Sequence, residues 1–120
     1  MKFCWTTIGV KNLEESVKFY RDIVGLTVGK RFKTAEGVEI CFLGEGETKV
    51  ELVCGTNHKV AAAPEGIALG FVVKSLDDML EFVNEKELEI VGGPYQPNPH
   101  IKFFYIKDPD GVRVQFVENM

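Results

Sequence analysis

Residues 10–20 read VKNLEESVKFY, and residues 73–83 read VKSLDDMLEFV. The second stretch repeats the first at an offset of 63, Val10 falling on Val73. An internal repeat decides the architecture before any local reading does, because it says that one supersecondary unit occurs twice. A second pair of windows recurs in the same order. VEICFLGEGETKVELV (38–53) lies against IKFFYIKDPDGVRVQFV (101–117), each as two apolar strands about a Gly-containing turn. Val50-Glu51-Leu52 then falls on Val114-Gln115-Phe116, an offset of 64.

Each copy parses as strand, helix and three strands. Phe3–Val10 is rich in β-formers and reads as the first strand. Asn12 offers an N-cap with Glu15 three residues on, and Leu13, Val17, Tyr20 and Val24 form an apolar stripe that Gly25 ends. Ser75, Asp78 and the stripe Leu76, Met79, Leu80 and Val83 repeat those signals. The remaining strands are expected over 26–33, 38–43 and 49–53, and over 89–91, 101–107 and 112–118. Asp108-Pro109-Asp110-Gly111 is a tight turn. The Gly- and Pro-rich run 92–99 reads as an irregular lip. One domain of 120 residues is expected, with repeat one over about 1–55, a linker over about 56–65 and repeat two over about 66–120.

Composition narrows the classes of function. The chain is 45% hydrophobic and 27% charged, which is globular and not disordered. A net charge of −4 disfavours a nucleic-acid or anionic-membrane partner. Three cysteines, Cys4, Cys41 and Cys54, cannot all pair and show no zinc-type spacing, so a reducing, cytoplasmic address is expected. No segment reads as a secretory signal or a membrane span.

One helix covers one face of a four-stranded sheet, so each copy leaves a face open. Alternation sends Cys4, Thr6, Ile8 and Val10 toward the helix and Phe3, Trp5, Thr7 and Gly9 away from it. Val50 and Leu52 turn inward, with Lys49, Glu51 and Val53 opposite. In copy two, Arg113, Gln115 and Val117 share the open face with Ala68, Gly70 and Val72. An indole, a carboxylate, a guanidinium and an amide among apolar neighbours suit a ligand cleft.

WTTIGVKNLEESVKFYRDIVGL, ETKVELV, ALGFVVKSLDDMLEFV and FFYIKDPDGVRVQFVE together resemble the vicinal oxygen chelate superfamily of glyoxalases, bleomycin-resistance proteins and extradiol dioxygenases. The resemblance implies an α+β fold of two βαβββ repeats around a concave mixed-sheet cleft, and a homodimer. It also implies four metal-ligand positions in metal-dependent members: His, Glu, His and Glu on the first, fourth, fifth and eighth strands. On this chain those positions fall on Trp5, Glu51, Ala68 (or Gly66, with a shift) and Gln115. Glu51 alone of these ligates a divalent ion well. No cofactor is therefore expected, with a rearranged zinc, nickel or magnesium site left open.

The candidate ligand-binding residues are Trp5, Glu51, His100, Phe103, Tyr105, Arg113 and Gln115. Trp5 either fills the space of a missing metal or stacks on a planar ligand. Glu51 is either salt-bridged to Arg113 or Lys49, or a catalytic base. Arg113 with Gln115 either binds a ligand anion or sits solvated at an edge. Phe103 and Tyr105 pack the sheet or line the cleft. His100 sits in the expected lip, and His58 in the linker reads as an exposed loop histidine. Cys41 and Cys54 read as buried small hydrophobes. The expected function is metal-independent binding of a small organic molecule. The alternatives are a glyoxalase-like lyase or isomerase and a ligand-free structural or regulatory dimer.

Overall fold

Asn12 stops a strand and starts a helix through one hydrogen bond, its Oδ1 accepting from the Glu15 backbone N–H at 3.1 Å. Ser75 does the same in the second copy, its Oγ accepting from the Asp78 N–H at 3.2 Å. Each cap satisfies a donor that the first helical turn leaves free. The computed structural model describes residues 1–46, 48–55 and 65–120. Most of the expected linker, and His58 within it, lie outside the described residues. The chain divides into two compact units, Met1–Ala62 and Ala63–Met120.

The first unit runs β1 (Trp5–Gly9), α1 (Leu13–Lys18), β2 (Val28–Lys33), β3 (Glu39–Leu43) and β4 (Lys49–Cys54). Its sheet order is β1-β4-β3-β2, with β1 and β4 parallel and the other pairs antiparallel. The second unit runs β5 (Ala68–Val72), α2 (Leu76–Glu85), β6 (Gly92–Asn98), β7 (Ile101–Lys107) and β8 (Arg113–Asn119). Its order is β5-β8-β7-β6, with β5 and β8 parallel. The repeat is visible as register. Trp5 pairs with Lys49 and Thr7 with Glu51, just as Ala68 pairs with Arg113 and Gly70 with Gln115.

Alternation then sorts the faces. Ile8, Val10, Val50 and Leu52 are buried with Leu13 and Val17 of α1 in the first unit. Phe104, Ile106, Val114 and Phe116 are buried with Leu76 and Val83 of α2 in the second. Val53 departs from this pattern, being buried although its alternate position belongs to the open face. Fully burying each such side chain contributes about 1.5–3 kcal/mol.

Two local readings are corrected. The stripe from Leu13 to Val24 is not one α-helix: after Lys18 the chain widens into a π-turn, Phe19–Ile23. The wider turn lets the consecutive rings of Phe19 and Tyr20 both be buried, edge to face at 5.1 Å. Gly25 closes it at φ +87°, with the Leu26 N–H donating to the Tyr20 carbonyl at 2.9 Å. The expected lip over 92–99 is instead strand β6, and 89–91 is not a strand. β6 tolerates Pro94 and Pro97 because it lies at the sheet edge and its register shifts twice, between Gly92 and Tyr95 and between Tyr95 and Asn98. An edge strand with bulges can spare the amide donors that proline lacks. No described helix is long and apolar enough to cross a membrane.

Candidate functional site

On the open face of the first sheet, β1 and β3 flank β4 and bring Trp5 and Phe42 together. Their ring centroids are 5.2 Å apart at 73°, an edge-to-face contact. Trp5 still exposes 44% of its surface, so the rings wall a space and do not close a core. That space is a pocket of about 500 Å³ lined by Trp5, Gly29, Lys30, Phe42, Gly44 and Lys49. Two backbone features shape it. β2 carries one extra residue between the Val28–Leu43 and Arg31–Cys41 pairs, a bulge at Gly29-Lys30. Gly44 turns the chain at φ +107°, its N–H donating to the Thr27 carbonyl at 2.8 Å. Beside the pocket, the Thr7 hydroxyl donates to Glu51 Oε1 at 2.5 Å.

The second unit presents a different set. Tyr95, Phe103 and Tyr105 form a ladder with centroid spacings of 5.7 and 5.8 Å. The Arg113 guanidinium lies 5.7 Å from the Tyr105 ring centre, a cation–π contact. Gln115 Nε2 donates to Tyr105 Oη at 3.0 Å. Gly70 opposite leaves the amide its room, since a Cβ there would lie 3.2 Å from Gln115 Oε1.

Trp5 and Glu51 therefore share the first unit's open face, and Phe103, Tyr105, Arg113 and Gln115 share the second's. Glu51 takes its hydrogen bond from Thr7 and makes no ion pair with Lys49 among the described residues, which corrects that half of the salt-bridge reading. His100 joins neither group. It sits in the β6–β7 turn, its N–H donating to Asn98 Oδ1 at 2.8 Å. Four residues of β7 separate it from Tyr105, roughly 16 Å along an extended strand.

Cys41 and the tight turn fall out of the site, and Cys54, expected to be buried, is only part-buried. Cys41 is fully buried, and burial pushes its thiol pKa up, which disfavours the nucleophilic thiolate. Asp108 Oδ1 accepts from the N–H groups of Asp110 and Val112 at 2.9 and 2.8 Å, so the turn's buried carboxylate is structural.

Phe42 and Lys30 escaped the sequence reading. Alternation over Cys41 and Leu43 already marks Phe42 as outward-facing, a signal that was there to use. Lys30 had none, because the bulge breaks the period of two that would place it.

Among the described residues no three His, Cys, Asp or Glu side chains gather in a group that could hold a metal ion. Of the four positions where the resemblance puts ligands, Trp5 and Ala68 carry no ligating atom and the Gln115 amide is bonded to Tyr105. Glu51 is the one carboxylate.

Comparison with known proteins agrees on the family. A family model described as the glyoxalase/bleomycin resistance protein/dioxygenase superfamily matches residues 2–116. The lactoylglutathione lyase of Haemophilus influenzae is 29% identical, over 99% of this chain and 93% of its own. Two solved structures share the fold. A glyoxalase family protein from Bacillus cereus superposes with a TM-score of 0.83 at 21% identity, covering 100% of this chain and 95% of that one. An antibiotic-binding protein from Streptomyces superposes with a TM-score of 0.79 at 17% identity, covering 100% and 97%.

Proposed function

Because the chain belongs to the glyoxalase/bleomycin resistance protein/dioxygenase superfamily, we propose that it binds a small organic molecule on its open sheet face without a metal ion. The observation that carries this reading is Trp5. It occupies the first-strand position where metal-dependent relatives are expected to present a ligand, and it walls a pocket with Phe42. An indole there supplies a large apolar contact at small entropic cost, which suits binding and offers nothing to a metal. The fold neighbour from Streptomyces is itself an antibiotic-binding protein, so the fold accommodates such a role.

The second reading is a lyase, and the lactoylglutathione lyase of Haemophilus influenzae favours it by aligning over nearly the whole chain. One experiment separates the two. The purified chain is analysed for nickel, zinc and magnesium, assayed for lactoylglutathione lyase activity, and screened against bleomycin-type compounds and metabolites by thermal shift. A compound that raises Tm in the wild type and not in Trp5→Ala supports binding. A divalent ion near one equivalent, lost together with lyase activity in Glu51→Ala, overturns it.

Two further expectations belong to this reading. A cytoplasmic address is supported by three cysteines that are all free, one of them exposed. A homodimer rests on the resemblance and is checked by light scattering of the purified chain.

A further inference from the structure

We propose that the pocket of the first unit selects organic anions: a planar apolar body carrying a carboxylate, sulfonate or phosphate. The proposal rests on the binding reading above and adds the chemical class of ligand.

The lining divides into two kinds of surface. Trp5 and Phe42 form an edge-to-face apolar wall, which receives a flat body. The charged groups lining the pocket are both cations, Lys30 from the β2 bulge and Lys49 from the start of β4. Among the described residues neither lysine makes an ion pair. The neighbouring carboxylate, Glu51, lies two residues along β4 from Lys49 on the same face, and it is hydrogen-bonded by Thr7. Arg31, on the same strand as Lys30, is turned away and paired with Glu14 of the helix at 2.7 Å. Lys30 and Lys49 thus place two cationic side chains, without an ion-pair partner among the described residues, at the edge of one apolar pocket.

The chemistry of lysine sets how selective the site is. An ammonium is a compact point charge without the planar fork of a guanidinium. The pocket therefore reads the sign of the ligand's charge more than the shape of its anionic group. Carboxylate, sulfonate and phosphate are accepted alike, and the aromatic wall sets the preference for the rest of the molecule.

Trp5 is the one tryptophan of the chain, so its fluorescence reports on this pocket directly. The full-length protein is titrated at low salt with naphthoate, with neutral naphthalenemethanol and with cationic naphthylmethylammonium. Naphthoate is expected to bind roughly fivefold more tightly than the alcohol, the ammonium most weakly, and the gap is expected to narrow as salt rises. The double variant Lys30→Gln/Lys49→Gln is expected to erase the difference between naphthoate and the alcohol. Equal binding of naphthoate and the alcohol to the wild type overturns the anion preference while leaving small-molecule binding intact. A difference that persists in the double variant also overturns it. Failure of all three compounds to change Trp5 fluorescence counts against the preference and the binding reading together.

Discussion

The two units write the same grid of positions with different side chains. Trp5, Phe42, Lys49 and Glu51 in the first stand where Ala68, Tyr105, Arg113 and Gln115 stand in the second. With an indole at the first position, the first unit has a wall and therefore a pocket. With a methyl group at the matching position, the second unit carries a Tyr95–Phe103–Tyr105 ladder that Arg113 and Gln115 contact through Tyr105. The indole on the edge strand supplies a wall that the matching methyl group cannot, and the Gly29-Lys30 bulge and the Gly44 turn shape the rest of the first unit's pocket.

The buried faces differ too. Cys41 against Leu52 in the first unit corresponds to Phe104 against Phe116 in the second, whose rings lie 5.5 Å apart. Phe104→Ala is expected to cost about 3–5 kcal/mol by leaving a cavity. Cys41→Ala removes one sulfur atom and is expected to cost about 1 kcal/mol. Calorimetry of both variants checks this, and equal losses would break the contrast between an aromatic and an aliphatic core.

On the open faces, Trp5→Ala is expected to weaken a pocket ligand by at least about tenfold, with little change in Tm because the ring is half exposed. Tyr105→Ala is expected to leave that affinity near wild type. Titration of both variants against a hit from the thermal-shift screen compares the units directly, and equal losses would place the ligand outside the first unit's pocket.

The helix starts offer a smaller contrast. Glu118 Oε1 accepts from the Leu76 N–H at 2.6 Å, a carboxylate set on the first turn of α2. The matching residue of the first unit is Cys54, whose thiol makes a weak 3.6 Å contact with the Lys11 carbonyl. Glu118→Ala is expected to cost about 1–2 kcal/mol and Cys54→Ala about 0.5 kcal/mol or less, read from urea midpoints.

The smallest expected effect concerns the paired acids of the helices. Glu14 and Asp77 occupy matching positions; Glu14 meets Arg31 at 2.7 Å and Asp77 meets Lys102 at 3.7 Å. The Arg31 guanidinium, by its hydrogen bond and its charge, holds the Glu14 carboxyl below its ordinary pKa. A carboxylate lowered in the folded state adds stability that is complete above its unfolded pKa and fades as pH falls through the folded one. The Tm difference between wild type and Glu14→Gln is therefore expected to be greatest above about pH 5 and to close as pH falls through the lowered folded-state pKa. Asp77→Asn is expected to show a smaller difference at neutral pH, as suits a longer contact made by a more exposed acid.

Much of this was written locally. Both N-caps, the Gly25 stop and the Asp108 turn follow from hydrogen bonds between residues within a few positions of each other, which a linear reading can see. The repeat carries the architecture, and period-two alternation carries the faces, so Trp5 and Glu51 fall on one face by sequence alone. Alternation failed where the backbone broke its period. At Gly29-Lys30 a bulge put Lys30 at the pocket, and at 92–98 two register shifts let a Pro-rich run join the sheet. The π-turn at Phe19–Ile23 was hidden for a related reason, since an apolar stripe does not reveal one extra residue per turn.

By itself, then, the sequence determined two βαβββ units with their caps and turns, because these depend on residue identity and short spacing. Only the tertiary structure decided that Trp5 stands against Phe42, that Glu51 answers to Thr7, and that two lysines flank the pocket. Those contacts depend on which strands become neighbours and on where their register slips, and strand partners far apart in the chain leave no mark on local spacing.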